Sequence, residues 1–124
     1  MLDLAFALAL SVSPGLMHPP STRPLVMQEV ELTFAADKTP DWSNFYPKTA
    51  QAKAVQGSAE VMCRIGADQK LTDCAPVAET PVGEGFGASA ANLFSMMQAS
   101  PQAADGSATA NRQILLHFNF KLNN

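Results

Sequence analysis

Ser58-Ala59-Glu60-Val61-Met62-Cys63-Arg64-Ile65-Gly66-Ala67-Asp68-Gln69-Lys70-Leu71-Thr72-Asp73-Cys74-Ala75-Pro76-Val77-Ala78 reads as a β-hairpin. Ala59, Val61, Cys63 and Ile65 alternate with Glu60 and Arg64, the period of a strand with one buried face. Gly66 to Lys70 carry turn chemistry, and Leu71 to Val77 return. With Ala67 to Lys70 as the loop, Cys63 faces Cys74 and Arg64 faces Asp73. Leu71 and Cys74 are three apart, so a regular strand puts them on opposite faces. A β-bulge between them turns both inward and is expected. These are the chain's 2 cysteines. An even count in a small exported domain, in facing positions, predicts a Cys63–Cys74 disulfide. The other state open to them is a pair of reduced core thiols. Closing this ring stabilises the fold by about 3 kcal/mol in the chain-entropy model.

Downstream, Ala90, Leu93, Phe94 and Met97 fall on one face of a helix that starts near Ala88 and stops at Ser100-Pro101. Asp105-Gly106 marks a turn. Gln113 to Leu122 then alternates: Ile114, Leu116, Phe118, Phe120 and Leu122 face in, while Leu115, His117, Asn119 and Lys121 face out. Upstream, Val30, Leu32 and Phe34 alternate with Glu29, Glu31 and Thr33, which predicts a strand over 26–34. Residues 35–44 form a polar loop, with Trp42 beside Pro40 as an anchor to the core. Phe45-Tyr46-Pro47 leads into a helix over 48–54, since proline suits a first turn, and Gly57 is its expected stop. Strand, helix, hairpin, helix, strand gives an α+β fold: a two-layer sandwich with a small, mostly antiparallel sheet and two helices on one face.

Length and composition fit one domain. Among 124 residues, 47 % are hydrophobic and 15 % charged, which builds a core and excludes disorder. The net charge is −3 with no basic cluster, so a nucleic-acid partner is set aside. Leu4 to Leu10 is an apolar run far too short for a bilayer-spanning helix of about 20 residues. It matches the apolar core of a secretory signal, although a basic n-region is missing and Asp3 has the wrong sign. The alternative is a buried helix or strand. The organisation expected is a signal segment over 1–15, a proline-rich linker over 16–24 and a domain over 25–124.

No catalytic constellation emerges. Gly87-Ala88-Ser89-Ala90-Ala91 falls one glycine short of a hydrolase elbow and lacks the large parallel sheet that motif needs. Gly83, Gly85 and Gly87 precede a helix and invite a phosphate on their N–H groups, but no P-loop lysine follows. A tight loop at a helix entry is the simpler reading. His117 sits on the polar face of its strand with no acid nearby in sequence. Zinc would need both cysteines and both histidines, His18 and His117, from unrelated segments. No enzyme activity, cofactor, metal or small-molecule substrate is expected.

The run from Phe45 to Leu122 resembles the TonB C-terminal domain. Tyr46-Pro47 with Ala50 and Ala54, then Gly57, the Ala59-Glu60-Val61-Met62-Cys63-Arg64-Ile65 strand and Leu71-Thr72-Asp73-Cys74 carry the likeness. Glu79-Thr80-Pro81, Gly85-Phe86-Gly87 with Ala90-Ala91, and the last strand follow in the same order. The resemblance implies a periplasmic domain that grips a short segment of an outer-membrane transporter. It places Tyr46 and Pro47 near that contact. An edge strand from Gln113 to Leu122, with Leu115, His117 and Asn119 facing out, suits addition of an extended peptide. The same edge permits a strand-paired dimer. A membrane anchor and the long spacer of an energy transducer are not evident in this sequence. The rival expectation is therefore a stand-alone exported binding or assembly module with the same fold.

Overall fold

The hairpin is the centre of the computed structural model, which describes residues 23–35, 41 and 44–122. The signal segment, nearly all of the linker and the Trp42 anchor lie outside the described residues. The elements run in the order β1 (Leu25–Val26), a 3-10 turn (Met27–Glu29), β2 (Leu32–Phe34), α1 (Lys48–Ala52), β3 (Gly57–Ile65), β4 (Leu71–Thr80), α2 (Phe86–Phe94), β5 (Met97–Ala99) and β6 (Gln113–Phe120). A 4-stranded sheet has the order β1-β6-β3-β4, and β2 pairs with β5 in a 2-stranded sheet. Within the larger sheet β3 is antiparallel to both β4 and β6, while β1 adds parallel to β6. This is an α+β fold.

Hydrophobic alternation decides the inner face. Val61, Cys63 and Ile65 of β3 and Ile114, Leu116 and Phe120 of β6 are buried against Ala50 of α1 and Phe86, Ala90 and Phe94 of α2. The sulfurs of Cys63 and Cys74 are bonded, closing the hairpin's two strands together. The expected bulge is present. The β3–β4 register shifts between Met62 and Arg64, where Asp73 takes φ 52°. One consequence corrects the sequence reading: Arg64 faces Thr72, because the extra residue moves Asp73 out of the pairing.

Four boundaries also differ. The strand expected over 26–34 is broken at Met27–Glu29, where the Glu29 carboxylate accepts the Val26 N–H (2.9 Å) and both guanidinium nitrogens of Arg23. Those bonds hold the Glu29 carboxyl down at about 2. The turn moves the chain from one sheet to the other. The helix after Tyr46-Pro47 is stopped by Ala54, not Gly57. Ala54 takes φ 57° while Val55 N–H donates to Ala50 C=O and Ala54 N–H to Gln51 C=O, a Schellman arrangement. Finally, α2 ends at Phe94, and Met97 belongs to β5 rather than to the helix face. Pairing of Met97–Ala99 with Leu32–Phe34 outweighs the helical spacing of Met97. Helix α2 also starts two residues earlier than Ala88.

Candidate functional site

The outer edge of β6 is the site that the sequence nominated, and register fixes which of its groups point outward. Ile65 N–H donates to Arg112 C=O, and Leu122 N–H to the Gln56 side chain, so even-numbered residues aim their main chain at β3. His117 N–H points the other way, to Met27 Sδ at 3.1 Å. By strand alternation Leu115, His117, Asn119 and Lys121 present N–H and C=O to the outer edge. β1 covers the first part of it, pairing Leu25 with Ile114 and Val26 with Leu115. The free edge is thus shorter than the sequence implied: it runs from His117 to Lys121, and no strand lies beside it among the described residues.

The opposite edge of the sheet is unsuited to pairing. β4 carries Pro76 and two register shifts, features that block an added strand. The two edges are therefore not equivalent.

Side chains complete the picture. Leu115, His117 and Asn119 lie on the face away from the helices. His117 Nε2 is 3.0 Å from Asn119 Oδ1, and His117 Nδ1 is 4.0 Å from Glu60 Oε2 on the neighbouring strand. On the other face Phe118 is half-buried and Phe120 buried. Tyr46 meets Phe120 edge-on at 5.7 Å and Phe86 at 5.8 Å, and its hydroxyl donates to Val55 C=O. Burial raises the Tyr46 pKa. Its ring packs in part against the core, and the neighbouring Pro47, also half-buried, sits at the start of α1. The structure brings Tyr46-Pro47 to the Asn119–Lys121 end of the edge. Leu115 lies at the far end, under β1.

The glycine loop is already filled. Glu79 reaches from β4 and accepts the N–H groups of Gly83 (2.9 Å) and Gly87 (2.6 Å), which lowers its pKa against the opposing effect of burial. An internal carboxylate stands where a phosphate would sit. The Ser89 hydroxyl donates to Phe45 C=O and holds that segment on α2. Among the described residues no group of three or more His, Cys, Asp or Glu is placed to hold a metal. No helix among them is long and apolar enough to cross a membrane. Two contributors escaped the sequence reading. Glu79 was legible in principle, as an acid shortly ahead of a glycine-rich helix entry. Met27 gives no sequence signal.

This geometry has a solved counterpart. The chain has a TonB C-terminal-domain-like fold. One similar structure is the solution NMR structure of the Pseudomonas aeruginosa TonB C-terminal domain, with a TM-score of 0.53 and 19% identity. The likeness covers 80% of this chain and 94% of that one. No protein-family model matches the sequence. No curated protein matches it either. At that identity the TonB-like assignment concerns the fold alone.

Proposed function

We propose that this domain binds an extended segment of a partner protein by strand addition along His117–Lys121, and that it works in the periplasm on a segment of an outer-membrane transporter. The observation that carries this reading is the outer edge of β6 past β1, which has no strand beside it among the described residues and ends beside Tyr46-Pro47. Main-chain N–H and C=O groups on such an edge recognise any extended backbone, and flanking side chains select among sequences. The TonB-like fold supports the choice of partner class and compartment. The disulfide supports an oxidising compartment. A binding role fits this site better than catalysis, because its groups are backbone amides and a solvent-facing histidine.

Titration of the 15N-labelled domain with a capped, extended seven-residue peptide tests the reading. Amide shifts concentrated at Asn119, Lys121 and the Tyr46-Pro47 segment are expected. Shifts confined to 83–87, or none at all, would overturn it. A strand-paired dimer through the same edge is the outcome to separate from it, and sedimentation of the free domain does so.

A further inference from the structure

His117 N–H is the first outward donor past β1, and it is bonded to a thioether. A thioether sulfur is a weak acceptor compared with a carbonyl oxygen. The contact brings Met27 across from the turn after β1, at the point where the strand pairing of β1 with β6 stops. From this geometry we infer that Met27 is a displaceable guard of the β6 edge: it occupies the place of the next strand residue until a peptide carbonyl takes the His117 N–H. The inference rests on the strand-addition reading above.

Three observations support displacement rather than a fixed plug. Met27 is half-buried, whereas Leu25 and Val30 on either side are buried. Those neighbours hold the backbone, so the side chain can leave without loss of the element. An open cavity of about 190 Å³ lies beside Met27, lined in part by Val26, Glu60, Leu115 and His117, and gives the side chain room to swing. Finally, the turn is clamped independently of Met27, by Glu29 on Arg23 and by Ala104 N–H on Glu29 C=O. An unguarded edge with three consecutive outward donors would pair with other copies. The guard suppresses that pairing and yields to a stronger acceptor.

The test uses Met27→Leu, which keeps apolar bulk but has no sulfur, and Met27→Ala, which removes both. In the free protein the His117 amide exchanges its hydrogen slowly in wild type and faster in both variants. With the capped seven-residue peptide, both variants bind tighter, by about three- to tenfold, the weight of one net hydrogen bond. Met27 methyl resonances shift on binding in wild type. Equal His117 exchange in all three proteins overturns the guard. So does unchanged affinity while Asn119 and Lys121 amides still shift, and that result leaves strand addition intact. Loss of edge shifts in every protein would sink strand addition, with the exchange data still deciding whether Met27 caps His117.

Discussion

Gly57 lies beneath the ring of Phe86, and a Cβ at Gly57 would come within 2.6 Å of that ring. It would also come within 2.1 Å of the Thr80 carbonyl oxygen, which is backbone and has little freedom to move. Gly57→Ala is therefore expected to destabilise the domain by about 3 kcal/mol or more, the upper range for overpacking. Urea unfolding measures this, and a loss under about 1 kcal/mol would show that β3 and α2 are farther apart.

Ala54 bears the conformational role that the sequence reading gave to Gly57. Its φ of 57° is left-handed, a region costly for any residue with a Cβ. Ala54→Gly relieves that cost and loses part of the gain to greater freedom in the unfolded chain. A net stabilisation of about 0.5–1 kcal/mol is expected from thermal or urea melts. Destabilisation would mean that α1 does not end in a left-handed residue.

Glu79 couples the glycine loop to pH. Its carboxyl is held below its ordinary value by the Gly83 and Gly87 N–H groups. A depressed folded value means that the ionised form stabilises the fold. That contribution is complete above the unfolded value of about 4.3 and is lost as pH falls through the folded value. Glu79→Ala leaves both N–H groups without this acceptor and is expected to cost about 1–3 kcal/mol at pH 7. The deficit should shrink in melts at progressively acid pH. A deficit independent of pH would mean that the carboxylate charge is not what holds the loop.

Local chemistry made much of the fold legible. Alternation exposed the inner faces of β3 and β6, and the three-residue offset of Leu71 and Cys74 demanded the bulge that Asp73 supplies. What sequence could not show is nonlocal. Met97 has helical spacing from Phe94, yet it pairs with Phe34, more than sixty residues upstream. Val26 looks like the start of one strand, yet Leu25 and Val26 add parallel to β6 at Ile114 and Leu115 and cover the first part of the predicted edge. Nor does the sequence show that the Tyr46 ring meets Phe86 and Phe120 edge-on, from segments far along the chain.

Alternation makes the two phenylalanines of β6 equally internal, and the structure ranks them. Phe120 is 4% exposed and stacks on Phe86 at 4.7 Å, whereas Phe118 is half-buried. Phe120→Ala is expected to cost about 3–5 kcal/mol, and Phe118→Ala about 1–2 kcal/mol. Equal losses in urea would mean that the open side of the aromatic cluster is covered.

Strand addition at β6 makes a prediction about single backbone donors. Asn119 N–H points outward, since His117 N–H does and alternation repeats every two residues. Phe118 N–H points to β3, opposite Ala59. Asn119→Pro removes a donor that faces solvent, a position where proline is tolerated on an edge. The domain should stay folded by circular dichroism. Peptide affinity should fall by about tenfold or more, as a main-chain bond is lost and the ring clashes with the added strand. Asn119→Ala keeps the backbone donor, removes only an exposed side chain with its bond to His117, and should change affinity by no more than about twofold. Phe118→Pro is the control on parity: it breaks the ladder with β3 and should unfold the domain. Calorimetric titration of the folded variants decides. If Asn119→Pro binds as wild type does while Asn119→Ala fails, recognition runs through side chains, and the β6 edge is not where the partner adds its strand.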